Sequence, residues 1–351
     1  MSELQRRGFS LGNTPINQTA AHDLASWHQG LPVLLKAECL ESIASHRDNI
    51  EQTEHLVRAV LEEQDCDSEL AKTPYVERLE PKFQSLGSVF NEGDHQEIEL
   101  ITFDVMDGEE IIAEDLWLKA SWLSFHDEDA SLRFRFSFGI DLEEDVAADP
   151  YRQQLSAELT EAVFPESEIV TGNNALKNKL KTILDSDDVR FVERIIYFNS
   201  PNGGAYLHHD LERGHAGVVF AQITGSTFWL ALPQKTLVDE IIYFSQNNSW
   251  PESLTAEMRK EMDGLVKNPA KLSAELNSFA NSTLIHLINE TQDFVQFLIT
   301  RGHSSKLEPG DVLLLPQATP ETCCWHSVFC LGEEMGQALS FAIRGQDERV
   351  K

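Results

Sequence analysis

His208-His209-Asp210 and, far downstream, Trp325-His326 bring two imidazoles and a carboxylate into strand-rich stretches of the chain. Two histidines and one carboxylate form a mixed nitrogen and oxygen donor set. Such a set suits a divalent cation, Fe(II) in particular, and leaves coordination positions open for reacting molecules. Zn(II), Mn(II) and Ni(II) also accept it, so the donors alone do not name the metal. Side chains alternate faces along a strand. His208 and Asp210 therefore share a side, and His209 faces away. The third donor has to come from a neighbouring strand, and His326 precedes one. A carboxylate enclosed beside imidazoles is costly without a partner, and a cation offsets that cost. His209, His215 and Glu212 are rival donors, and ordinary hydrogen-bonded core histidines are the alternative reading.

The elements that must position these groups follow from hydrophobic period. Residues 1–20 read as a polar arm. Within 21–75 the apolar residues have helical spacing, with Leu56, Val57, Val60 and Leu61 on one face. From about 96 the period becomes two. Strands are expected over 97–103, 116–122 and 132–138, with a polar hairpin loop at His126 to Asp129. In the last of these strands Phe134, Phe136 and Phe138 share one face and Arg133 and Arg135 the other, as in a half-buried strand. Two helices around Pro165 fill 150–187. Strands follow at 191–198, from Tyr206 to Asp210, and at 218–223 and 227–232. The region 235–300 turns helical, with Leu284, Leu287, Ile288, Phe294, Val295 and Leu298 as a packing stripe. Strands return at 310–316, 327–329 and 337–343. Strands that resume after a helical interruption suggest a mainly β fold with helical additions, a double-sheet antiparallel barrel of the jelly-roll type. The expected division is an N-terminal arm and helical region over 1–90, then the barrel over 91–351 with a helical insertion at about 235–300.

The stretches His208-His209-Asp210, Phe220-Ala221-Gln222-Ile223-Thr224-Gly225, Trp229-Leu230-Ala231-Leu232-Pro233, Gly310-Asp311-Val312-Leu313-Leu314-Leu315-Pro316 and Trp325-His326-Ser327-Val328 together resemble the JmjC/cupin-like 2-oxoglutarate oxygenases, the asparaginyl-hydroxylase-like branch most closely. The resemblance covers about residues 190–345. It implies a double-stranded β-helix that uses Fe(II), 2-oxoglutarate and O₂ to hydroxylate a protein side chain or a small molecule, with His208, Asp210 and His326 matching the iron ligands. Many members of that branch carry a lysine, two residues after the glycine matched by Gly225, that pairs with the distal carboxylate of 2-oxoglutarate. This chain has Thr227 there, and Val218 where the family's cosubstrate pocket has asparagine. A hydroxyl donates one hydrogen bond but does not neutralise a carboxylate. Arg344, in phase with Ser340 on the last strand, is a substitute that can grip a carboxylate with two hydrogen bonds. Thr227, Ser340 and Arg344 are thus the expected cosubstrate residues. Two other readings stay open: a metal-dependent cupin lyase or isomerase that needs no 2-oxoglutarate, and a non-catalytic cupin-like binding module.

Composition sets the partners. Among 351 residues, 28 Lys and Arg face 58 Asp and Glu, a formal net charge of −30. Such a chain repels nucleic-acid phosphates and anionic lipids over most of its surface. A basic peptide, a basic protein or a small molecule is the more comfortable partner, and a homodimer stays open. Five cysteines without a C-x-x-C pair favour a reducing compartment over a disulfide framework. No apolar run approaches the ~18 residues of a membrane span, and the N-terminus lacks the apolar run of a secretory signal. The expected location is cytoplasmic. Cys323-Cys324, just before the Trp-His pair, reads as small buried side chains.

Overall fold

The computed structural model describes residues 4–6, 9–12, 24–63, 65–90, 97–123, 131–139, 146–201, 203–211 and 214–345. The hairpin loop expected at His126 to Asp129 and the rival donor Glu212 lie outside the described residues. The N-terminal third carries β1 (Leu4–Arg6), β2 (Phe9–Gly12) and β3 (Val33–Leu35), then helices α1 (Leu40–Ser45), α2 (Arg47–Glu63), α3 (Cys66–Leu70) and α4 (Tyr75–Leu79). A meander follows: β4 (Phe83–Val89), β5 (Glu97–Asp107), β6 (Glu110–Leu123) and β7 (Ser131–Phe138). Helices α5 (Pro150–Val163), α6 (Glu168–Thr171) and α7 (Asn174–Leu184) lead to β8 (Arg190–Asn199), β9 (Gly204–His208), β10 (Gly217–Gln222) and β11 (Ser226–Pro233). The helical insertion is α8 (Gln234–Asn247), α9 (Ala256–Leu265), α10 (Pro269–Ser278), α11 (Ser282–Glu290) and α12 (Gln292–Thr300). The chain then closes with β12 (Ser304–Leu307), β13 (Val312–Pro316), β14 (Cys324–Leu331) and β15 (Gly336–Arg344).

The fold is mainly antiparallel β with helices. A nine-stranded sheet has the order β3-β13-β10-β15-β8-β7-β6-β5-β4, and a four-stranded sheet the order β12-β11-β14-β9. From β8 onward the chain moves between them: β8, β10, β13 and β15 join the large sheet, and β9, β11, β12 and β14 the small one.

Side-chain alternation then sorts the apolar residues into three layers. Val218, Phe220, Leu313 and Leu315 of the large sheet meet Trp229, Ala231, Leu307 and Cys324 of the small one between the sheets. Val219, Val312, Leu339 and Phe341 point the other way, into a core shared with Leu56 of α2, Leu159 of α5, Phe164 and Leu176 of α7. Phe228, Leu230, Leu232 and Trp325 leave the small sheet outward and are covered by the α8–α12 insertion through Leu237, Leu287, Phe294 and Leu298. Each expected packing-stripe residue from Leu284 to Leu298 is buried in that layer. Asn268 accepts the Lys271 amide (3.1 Å) and Pro269 opens α10, so the Asn-Pro pair works as a helix start. Among the described residues no helix is long and apolar enough to cross a membrane.

The N-terminal stretch differs from the sequence reading. The stretch 1–90, expected as an arm and helices, also supplies β3 and β4 to the large sheet. β3 has only three residues, too few for a period to register. β4 is an edge strand whose side chains are mostly not buried. Asp311 seats β3: its carboxylate accepts from the Ala37 amide (2.9 Å) and pairs with Lys36 (2.5 Å).

Candidate metal centre

β9 and β14 are antiparallel neighbours, and His208 stands directly opposite His326 in their register. Directly paired residues send their side chains to the same face, so the two imidazoles lie side by side, ring centroids 4.5 Å apart. The sequence reading put His326 before its strand; the strand in fact begins at Cys324, and His326 is its third residue. Asp210 corrects the reading in the opposite direction. β9 ends at His208 and Asp210 lies beyond the ladder, so its carboxylate reaches the site from irregular backbone, not from strand alternation.

The approach of β9 to β14 depends on Gly204. A Cβ built there would lie 1.9 Å from the Val328 carbonyl oxygen, so this position admits no side chain.

The carboxylate bridges the imidazoles. Asp210 Oδ1 lies 3.3 Å from His208 Nε2, and Oδ2 lies 3.2 Å from His326 Nε2. One donor atom from each of the three residues falls within 4.8 Å of the others; among the described residues this is the group that could hold a metal ion. The far nitrogens are anchored. His208 Nδ1 lies 2.5 Å from the Tyr206 carbonyl and His326 Nδ1 lies 3.1 Å from the Cys324 carbonyl. A carbonyl only accepts, so Nδ1 carries the proton in both rings. In the neutral tautomer each Nε2 lone pair then faces a carboxylate oxygen. A cation resolves that conflict, either as protons on the rings or as a metal ion, and an Nδ1-to-carbonyl bond is the usual way a metal-binding imidazole is oriented. The donor set therefore fits a divalent ion.

The electrostatics agree. Burial pushes the Asp210 carboxyl upward, but the charge of His326 and hydrogen bonds from both imidazoles outweigh it and hold the carboxyl well below its usual range. Burial pulls His208 down, but the Asp210 carboxylate outweighs it and the net direction is up. The Asp210 side chain keeps 40% of its exposure, so the site opens on one side.

The opening is a cavity of about 440 Å³ whose walls include His208, Asp210, His326, Trp229, Tyr197 and Ser340. The indole of Trp229 stacks on His326 at 5.8 Å.

The rival and accessory residues fall elsewhere. His209 turns to the outer side of the small sheet, against Phe279 and Trp325, both at 5.2 Å. His215 lines the cavity, 4.0 Å from Glu193, outside the donor group. Ser340 lines the cavity as well. Thr227 is fully buried and is not among the lining residues. Its hydroxyl donates to Gln222 Oε1 (2.7 Å) and accepts from Trp229 Nε1 (2.9 Å), so it holds the indole that stacks on His326. Arg344 is 2% exposed and also stands outside the lining; its guanidinium packs on Gly214, where a Cβ would meet Cζ at 2.9 Å. Cys323 and Cys324 are buried thiols, with burial pushing Cys323 up to about 11 and Cys324 well above its ordinary value.

Sequence reasoning did not single out the cavity's two guanidiniums, Arg133 and Arg135. The only signal was their alternation with Phe134 and Phe136.

No protein-family model matches the chain. No curated protein matches it. Solved structures do match. One is that of Escherichia coli ycfD, at 14% identity and a TM-score of 0.30, covering 93% of this chain and 54% of that one. A second structure, described as YcfD, a ribosomal oxygenase from Escherichia coli, aligns at 14% identity and a TM-score of 0.29 over 95% of this chain and 54% of that one. A third is an oxidoreductase of the 2OG-Fe(II) oxygenase family from Burkholderia pseudomallei, at 7% identity and a TM-score of 0.26, covering 66% and 68%. The chain spans about half the length of the first two. Alignments this loose carry neither fold nor activity across, and the functional reading rests on the site's own geometry.

Proposed function

We propose that the chain is an Fe(II)-dependent oxygenase on a double-stranded β-helix, using 2-oxoglutarate and O₂ to hydroxylate a protein side chain or a small molecule. The observation that carries the reading is the convergence of His208 Nε2, His326 Nε2 and the Asp210 carboxylate, with both rings fixed through Nδ1. The alternation of β8 to β15 between two facing sheets and the resemblance of residues 190–345 to JmjC/cupin-like oxygenases support the same reading. When bound, Fe(II) supplies the activation of O₂, coupled to oxidative decarboxylation of 2-oxoglutarate. His208, Asp210 and His326 would hold it on one face, leaving the cavity side open. Trp229 and Val328 form apolar wall beside the ligands and limit water there. Asp210 is an intact carboxylate, which argues against halogenation, where that ligand position is vacated for halide.

The test is anaerobic loading of the full chain with Fe(II), followed by 2-oxoglutarate and air, with succinate as the readout. Succinate should form slowly without a second substrate and fall to background in His208→Ala and Asp210→Ala. Turnover undiminished in both variants would remove the assignment. Metal binding without 2-oxoglutarate binding would instead favour a metal-dependent cupin lyase or isomerase, and the saturated Thr227 hydroxyl is the observation on that side.

A further inference from the structure

Arg133 and Arg135 sit on β7, outside the eight strands β8 to β15 that carry the metal ligands, yet both line the cavity that contains His208, Asp210 and His326. Register explains how. Arg133 pairs with Tyr197 and Arg135 with Ile195 of β8, and both β8 residues line the same cavity. On the other side Arg133 stands opposite Ser121 of β6, to which its Nε donates (2.8 Å), and Arg135 opposite Lys119. Three cations thus share one face of two adjacent strands, in a chain of net charge −30. Two of them are turned into an enclosure. Among the described lining residues the carboxylates are Asp210, committed to the imidazoles, and Glu193. A guanidinium matches a carboxylate with two parallel hydrogen bonds.

We propose that Arg133 and Arg135 form a carboxylate-binding subsite facing the metal centre, and that they supply the cationic partner absent at Thr227. The ligand class is a small carboxylate. It has two possible sources: the distal carboxylate of a 2-oxo acid cosubstrate, or an acidic side chain of the substrate itself. The proposal rests on the oxygenase reading only for the presence of a metal beside the subsite. It also narrows the partner class expected from overall charge. The surface favours a basic partner, whereas the cavity favours an anionic group.

The test uses the full chain with Mn(II) as a metal that does not turn over, and calorimetry as the readout. The probes are 2-oxoglutarate, 2-oxopentanoate (a methyl in place of the distal carboxylate) and N-acetylglutamate added to the 2-oxoglutarate complex. The variants are Arg133→Gln/Arg135→Gln and the charge-keeping Arg133→Lys/Arg135→Lys. If the pair holds the cosubstrate, wild type binds 2-oxoglutarate tenfold or more tighter than 2-oxopentanoate, about what a charge-assisted hydrogen bond contributes. The Gln pair then loses that difference and the Lys pair keeps part of it, with Mn(II) affinity unchanged throughout. If the pair holds an acidic substrate, 2-oxoglutarate affinity is the same in all three proteins, and N-acetylglutamate binds wild type but not the Gln pair. Equal binding of every probe to wild type and the Gln pair, or no binding of any, overturns the proposal. Failure of wild type to bind Mn(II) overturns the oxygenase reading instead. Glutarate binding to metal-free wild type and Gln pair then still reads the arginines, and equal affinity or no binding overturns the subsite.

Discussion

On one side of β7, Phe134 and Phe136 pack against Phe164 with centroids 5.1 and 6.0 Å apart, and Phe134 meets Phe198 at 5.9 Å, all in an apolar core under α5. On the other side, one residue along in each case, Arg133 and Arg135 face the cavity of the metal centre. The same strand thus packs a core with one face and lines the cavity with the other. In most two-sheet proteins the space between the sheets is the hydrophobic core. Here part of that space is polar and open, and the large sheet takes much of its packing from the helices on its outer side.

Substitutions should split along this line. Phe134→Ala on the packed face carries the largest expected cost, ~3–5 kcal/mol of unfolding free energy, from lost transfer energy and the cavity left behind. Urea unfolding checks it, and Mn(II) affinity of the folded fraction should stay within twofold. A cost under 1 kcal/mol would break the comparison. Thr227→Val probes the boundary between the two sides. It leaves Gln222 Oε1 and Trp229 Nε1 without their shared hydroxyl, for an expected ~1–3 kcal/mol. It should also weaken metal binding through the freed indole that stacks on His326, whereas a purely structural role would leave the metal titration unmoved.

The smallest effect tests an exception. Glu166 is a carboxyl inside the packed side, fully buried, with Oε1 accepting from Gln337 (2.6 Å). Burial raises its pKa above the unfolded value. The folded protein then binds more protons than the unfolded chain over the interval between the two values. Stability must fall as pH rises through that interval, and the stabilising protonated form is kept below it. Glu166→Gln removes the ionisation. The thermal midpoint of the variant should match wild type near pH 4.5 and exceed it at pH 8. A wild-type midpoint that rises with pH relative to the variant would contradict the sign.

Legibility in the sequence followed the same two faces. The Phe side of β7, the α2 stripe of Leu56, Val57 and Val60, and the α11–α12 stripe were readable because an apolar period has one meaning once the element is buried. The Arg side was not. A polar face looks the same in sequence whether it meets bulk water or a cavity, and only the register of β7 against β8 separates the two. His208 and His326 stand out by type and context. Their direct opposition, a matter of pairing between distant segments, was not, nor was the role of Thr227, whose hydroxyl is spent on Gln222 and Trp229. Arg344 illustrates the converse. Its phase on β15 was read well enough to put it inside, but phase alone does not say which interior space a long side chain enters.

β9 is an edge strand of only five residues, paired on one side to β14, with its Leu207 amide given to Asn289 of α11 (2.7 Å). With its last residue and the facing residue of β14 as the proposed ligands, a bound ion would also be a rivet, fastening a short margin of the sheet that main-chain pairing alone holds weakly. Metal occupancy and the local opening of β9 are then one equilibrium seen from two ends, and amide exchange in β9 would slow in proportion to loading, whatever the metal's chemistry.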